Sequence, residues 1–467
     1  MAEHEGALTS DFVSQLREDF IMSAEDRARY NAITSTDIDQ LALNRAIVIG
    51  EDGHFSHRIK TKGVTNQKAS GRCWLFAGLN TMRPAVIHDL GLEEFEFSAA
   101  YLLFWDKMEK SNLYFEQVIE LREVDRLDRE WQLIHDAIVG DGGWWNYVTS
   151  LIEKYGVVPV SVMPETNSSE NTRAMNGVLK RLLLSRAAEI LEAHESGSDL
   201  ARLRELKSDA MAEVYRFLVL NLGEPPAEFT WRYQEKKKDE ASGDDKKEDD
   251  EMGRPQVAEE GLTEPKRYTP MSFYQQFVGD DLSQFVTLYH DPALETGRHF
   301  VFHRARNVVG KQEMDFVNVS IEMMKGIGVE SVKRNLPMWF AVNMGPDQSR
   351  EHGLMEIDLF DYESLFGIEI PLSKALRSRF HAGASNHAMV LMGVDLEDGR
   401  PKKWLVENSW GEDKGNKGTW TLYDSWFDEH VYTITVHRDL VPDDVLSVFE
   451  EEPERLPAWY PGAMGPR

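Results

Sequence analysis

Cys73 is the single cysteine of a 467-residue chain, and the residues around it and far downstream are those that acyl-transfer chemistry needs. Gln67 stands six positions before it and Trp74 follows it, while His387-Ala388-Met389 and Asn408-Ser409-Trp410-Gly411 come much later. A thiol with a pKa near 8.5 is a poor nucleophile at pH 7, but an imidazolium neighbour and a helix N-terminus lower that value by several units. Cys73 reads as the nucleophile and His387 as the base that takes its proton and later delivers it to the leaving amine. Asn408 would hold the ring. Charge developing on the attacked carbonyl oxygen needs donors already aimed at it, and losing one costs roughly 3 kcal/mol of barrier. The Gln67 side-chain amide and the Cys73 backbone N–H are the candidates. Each piece has a plainer alternative, since an isolated cysteine is often a small core residue and one of fourteen histidines is commonly a hydrogen-bonded core group. The joint pattern carries the reading.

These residues need elements to position them. Cys73 to Met82 is apolar enough for a buried helix entered from Ser70-Gly71, and Pro84 is expected to kink or end it. Residues 73–160 read mostly as helix. Helical spacing returns at Val178, Leu182, Leu183 and Ala187, then at Leu203, Leu206, Ala210, Val214 and Phe217, and stops before Pro225-Pro226. This stretch reads as an inserted helical subdomain with a structural role, oligomer contacts included. After residue 284 short apolar runs separated by turn residues indicate strands at 338–342, 387–394, 403–407, 419–423 and 431–436. They would build a barrel-like half carrying His387 and Asn408, opposite the helix carrying Cys73, with the site in the cleft between. Gly411 to Gly418 lacks the Gly-Lys-Ser/Thr arrangement of a phosphate loop and reads as a turn between strands. His54-Phe55-Ser56-His57 lacks a cysteine or spaced carboxylate and reads as a surface turn. No metal and no cofactor is expected.

The constellation resembles the papain-like cysteine peptidases. The distance from Cys73 to His387 is more than twice the ~130–150 residues of the compact secreted enzymes, and with that length the chain resembles the bleomycin hydrolase and aminopeptidase C family. Further matching stretches are Gly71-Arg72-Cys73-Trp74-Leu75-Phe76-Ala77, Glu94-Phe95-Glu96-Phe97-Ser98, Phe104-Trp105-Asp106-Lys107, Asp141-Gly142-Gly143-Trp144, Glu153-Lys154-Tyr155-Gly156-Val157-Val158-Pro159 and His387-Ala388-Met389-Val390-Leu391. Gly78, Asn386 and the charged segment near residue 240 are departures.

The resemblance implies an α+β, papain-like two-lobed fold with a helical insertion and an extended C-terminal arm. The expected organisation is an N-terminal extension over 1–60, the helical half over 61–160, the inserted subdomain over 161–283 with a charged loop at 235–251, the β-rich half over 284–452 and the arm over 453–467. The implied activity is that of a cysteine aminopeptidase removing N-terminal residues from peptides through an acyl-thioester, with bleomycin-like amides as further substrates and a closed homohexamer as the assembly. Gly142 and Gly143 would bind substrate backbone as in strand addition. Trp410 would shield the Asn408–His387 hydrogen bond and line the substrate cleft. The arm would lie in the cleft and block its far subsites, its terminal carboxylate meeting the substrate ammonium, although Arg467 places a cation beside that carboxylate.

Composition narrows partners and compartment. Lys and Arg total 52 against 80 Asp and Glu, a net charge of -28, which repels phosphate backbones and anionic membranes, so nucleic acid is not an expected partner. No apolar run approaches the roughly 18 residues of a membrane span. Ser70 stands where secreted relatives carry a disulfide-forming cysteine, and no basic-then-apolar leader opens the chain, so the cytoplasm is the expected location. Two other classes fit a Cys-His-Asn site: a thiol amidohydrolase or acyltransferase, and a non-enzymatic papain-like scaffold binding nucleic acid.

Overall fold

The computed structural model describes residues 6–136, 138–235, 261–279 and 281–466. Of the charged segment expected at 235–251 only Glu235 falls among them, and Arg467 lies outside them. The chain divides into two compact units. The smaller is residues 1–52 with 357–372, so the expected N-terminal extension is joined by a segment that the sequence reading placed in the β-rich half. Its helices are short and individually capped: Thr9, Asp37 and Asn44 each accept a backbone N–H of the turn they begin, and Ser23 and Asp26 cap reciprocally. The Asn44 N–H donates to the Leu359 carbonyl and the Asp361 N–H to the Ala42 carbonyl. Phe12 and Leu16, four apart on the Ser10–Asp19 helix, remain exposed, as do Leu8 and Phe20 just beyond its ends.

The larger unit holds the helices and the sheet that matter for chemistry. Cys73–Asp89 is a helix of 17 residues, 12 of them buried. The expectation that Pro84 ends or kinks it is corrected in one respect, because the helix continues to Asp89. Proline removes a single N–H donor, and here the neighbouring Met82, Arg83 and Val86 are buried with it. Gly78 lets this helix meet Trp145–Tyr155 closely, since a Cβ there would lie 2.8 Å from both methyls of Val148. The insertion is a helical hairpin, Thr172–Glu195 and Leu200–Leu222. The first helix buries Met175, Leu179, Leu183, Ala187 and Ile190; of the expected residues Leu183 and Ala187 are buried, Leu182 is half-buried and Val178 is exposed.

The main sheet has Met338–Val342 near its centre, flanked by His387–Glu397 on one side and Val431–His437 on the other. His387 pairs with Val342, and Val390 with both Trp339 and Glu407. That register sets His387 at the start of its strand while the strand partner ends at Glu407, immediately before Asn408. The five strands expected from sequence are joined by Phe285–Tyr289, His299–Phe302, Asp315–Asn318 and, inside the arm, Glu454–Leu456, which pairs parallel with His299–Phe302. His57 also lies in a strand, against Val394, and not in the surface turn expected for it. Among the described residues no helix is long and apolar enough to cross a membrane and no cluster of metal-ligating side chains occurs.

Candidate active site

Cys73 is the first residue of its helix and is fully buried. The backbone N–H groups of Ala388, Trp74 and Cys73 act to lower the thiol's pKa, against the larger effect of burial. His387 is 5% exposed, and its Nε2 lies 2.9 Å from Asn408 Oδ1. The Ser409 N–H also donates to Asn408 Oδ1, at 2.8 Å, which fixes that atom as the amide oxygen. An amide oxygen only accepts, so Nε2 carries the ring proton and Nδ1 is left as the basic nitrogen. Asn386, the departure beside His387, accepts the Met344 N–H at 2.7 Å and donates to the Met344 carbonyl at 2.9 Å, clamping the start of the His387 strand to the neighbouring strand end.

Two buried contacts hold the halves in register. Arg83, on the Cys73 helix, pairs with Glu407 at 2.7 Å with both side chains only 2% exposed, and Trp339 Nε1 donates to the Trp74 carbonyl at 3.0 Å. Removing one partner of a buried pair typically costs about 3–5 kcal/mol, so the helix of the thiol and the strand before Asn408 are coupled.

Gln67 approaches from the loop before the helix. Its N–H donates to the Ser409 carbonyl and its Oε1 accepts from Ser409 Oγ at 2.6 Å, while Nε2 donates to the Ser70 carbonyl at 2.7 Å. The amide thereby has a fixed orientation and one further N–H. The same loop is tied down by Asp141, whose carboxylate accepts from the Gly71 N–H at 3.0 Å, Lys107 Nζ at 2.6 Å, Thr172 Oγ1 and Asn176 Nδ2. Burial acts to raise the Asp141 pKa, yet the Lys107 charge and these hydrogen bonds hold it well below the usual carboxylate range. Arg72, fully buried, makes a bidentate pair with Glu165. Asp141, Lys107, Ser409 and Glu165 were not singled out from sequence. Asp141 and Lys107 stood in quoted motifs, but a turn residue and a helical lysine carry no signal of pairing.

Gly142 and Gly143 form the wall beside Trp74. A Cβ on Gly143 would lie 2.7 Å from the Trp74 ring, and Lys110 Nζ holds the Gly142 carbonyl at 2.7 Å. The Gly143 N–H donates to the Pro466 carbonyl at 3.0 Å, and Trp144 Nε1 to that of Ala463 at 3.0 Å. The arm therefore rests on the glycine wall. Trp410 is half-buried, its ring 4.8 Å from that of His387.

Burial pushes the Cys73 thiol up to about 12 and the His387 imidazole down to about 4, the Asn408 bond opposing the latter and the Arg350 charge adding to it. Taken singly both groups are neutral at pH 7. His290 is likewise pushed down to about 4 by burial. Unfolded histidines titrate near 6.5, so between pH 6.5 and 4 the unfolded state binds more protons and stability falls as pH falls. For His387 the expected loss is about 3 kcal/mol over that window. Urea midpoints should drop between pH 7.5 and 4.5, and His387→Asn should flatten part of the slope; a midpoint independent of pH would contradict these burial assignments.

Comparison with known proteins agrees with this architecture. The model of the Peptidase C1-like family matches residues 7–247 and 258–465. The chain is 34% identical to Aminopeptidase C of Streptococcus thermophilus over 97% of this chain and 98% of that protein. It is 33% identical to human Bleomycin hydrolase over 93% of each. The crystal structure of PepW from Lactobacillus rhamnosis superposes with a TM-score of 0.89 at 31% identity, covering 98% of both chains. The fold is α+β and papain-like, and the chain belongs to the Peptidase C1-like family, among the cysteine peptidases of the aminopeptidase C and bleomycin hydrolase type.

Proposed function

We propose that this chain is a cysteine aminopeptidase in which Cys73 attacks the first peptide carbonyl, His387 carries the proton, Asn408 orients the ring and Gln67 with the Cys73 N–H stabilises the oxyanion. The acyl-thioester is then hydrolysed by water. Gly142 and Gly143 hold the substrate backbone, and Trp410 covers the His387–Asn408 pair. Bleomycin-like amides fall within the same chemistry. The observation that supports the exopeptidase reading is the Pro466 carbonyl on the Gly143 N–H, beside the Ala463 carbonyl on Trp144 Nε1: this segment occupies backbone that a longer substrate would use.

The test is a set of fluorogenic amides offered with free and acetylated amino termini, beside acyl amides that lack an amino group. Free N-termini should be preferred about 10- to 100-fold, the range of a charge-assisted contact worth about 1.5–3 kcal/mol. Equal rates on acetylated substrates would reject aminopeptidase selectivity, and fast hydrolysis of simple acyl amides would favour the amidohydrolase reading. A homohexamer and a cytoplasmic location belong to the same proposal, supported by the exposed Leu8, Phe12, Leu16 and Phe20 and by the single unpaired thiol.

A further inference from the structure

The leaving-group side of the cleft carries a charge that the catalytic reading does not use. The Arg350 guanidinium lies over the Trp410 ring, 4.7 Å from its centroid, and that ring packs 4.8 Å from His387. Arg350 is exposed, and among the described residues its guanidinium forms no ion pair. Its backbone is held in place, because the Gly415 N–H donates to its carbonyl at 3.2 Å. The Arg350 charge is felt at the His387 ring, where it disfavours the protonated state.

The position of this cation relative to a substrate follows from the reaction. His387 must deliver its proton to the leaving nitrogen, so the fragment that departs passes beside the His387 ring. The arm occupies the Gly143 wall, which does not include Trp410. Trp410 packs against the His387 ring and Arg350 against Trp410, which puts the cation beside the path of the leaving fragment. An arginine stacked on an aromatic ring keeps its edge N–H groups free for a carboxylate while its plane is fixed. In a chain of net charge -28, an unpaired cation at this place attracts anions that the rest of the surface repels.

We infer that Arg350 is a specificity-determining residue that recognises a carboxylate on the leaving fragment, either the terminal carboxylate of a dipeptide or the side chain of an acidic residue just beyond the cleaved bond. The inference rests on the aminopeptidase reading above. It makes the enzyme most effective on the last bond of a degrading peptide, where the leaving amino acid is a free acid.

The test compares kcat/KM for Ala-Ala, Ala-Ala-amide, Ala-Asp-amide and Ala-Lys-amide in the wild type, Arg350→Gln and Arg350→Lys. The wild type should favour the free acid over its amide about three- to tenfold, the span of a partly exposed charge contact. That ratio should fall to within about twofold in Arg350→Gln, recover in Arg350→Lys and shrink in 0.5 M salt as screening shortens the reach of the charge. Preference for Ala-Ala alone identifies the terminal carboxylate as the group read, and preference shared by Ala-Asp-amide adds the side chain. An acid-to-amide ratio near one in the wild type, or one that survives Arg350→Gln, overturns the inference. Hydrolysis of none of the four by the wild type would instead overturn the aminopeptidase reading itself.

Discussion

Cys73→Ser is expected to fold as the wild type does and to lose at least ~1,000-fold in kcat/KM, equivalent to about 4 kcal/mol of barrier. The hydroxyl fits the space of the buried thiol, so thermal unfolding should shift little. What disappears is a nucleophile that His387 can ionise: a serine hydroxyl gives up its proton far less readily than a thiol, and an Asn-oriented imidazole has no carboxylate behind it to compensate. Steady-state assays beside a melting curve separate loss of chemistry from loss of fold. Retained activity in a well-folded variant would remove Cys73 from the mechanism.

Freeing the glycine wall should change which bonds are cut. Deleting residues 462–467 removes both the Pro466 and Ala463 carbonyls, the acceptors for Gly143 N–H and Trp144 Nε1. Aminopeptidase activity should fall while cleavage of acetylated or internal sites rises, moving the ratio by about tenfold or more. Because the truncation also leaves the buried Trp144 indole N–H unpaired, at a cost of about 1–3 kcal/mol, a full-length counterpart is informative. Gly465 has φ +81, and a Cβ there would lie 2.7 Å from the Gly143 carbonyl carbon; Gly465→Val should push the arm off the wall with the chain intact. Unchanged ratios in both variants would mean that the arm does not set the exopeptidase preference.

The chemistry-bearing residues were legible because their types are scarce in combination: one thiol, a histidine opening an apolar strand, and Asn-Ser-Trp-Gly after the next strand. Gly142-Gly143 stood out only through the family resemblance; the reason Gly143 is glycine, a Cβ 2.7 Å from the Trp74 ring, is visible only in the fold. What sequence could not show is pairing across distance. Asp141 joins the loop before Cys73 to Thr172 and Asn176 of the insertion, so a segment read as a structural appendage braces the loop that carries Gln67. Arg83–Glu407 and Arg72–Glu165 are likewise ordinary charges until the fold buries them. The strand Glu454–Leu456 escaped notice because three residues between Pro453 and Pro457 show no alternation, and its strand character comes from its partner His299–Phe302. In the hairpin Leu183, Ala187, Leu203, Ala210 and Val214 are buried as expected, while Leu179 takes the place expected of Val178 because the two are equally apolar and which faces inward depends on the neighbouring helices.

A thiol that burial alone would hold near 12 is expected to become reactive by passing its proton to His387. The rate of inactivation by iodoacetamide as a function of pH measures this directly, since Cys73 is the only cysteine to label. The predicted result is single-site alkylation at pH 6 faster than that of a free thiol, abolished along with activity in His387→Ala. A rate that rises only above pH 8, as for an ordinary thiol, and that is indifferent to His387→Ala would contradict it.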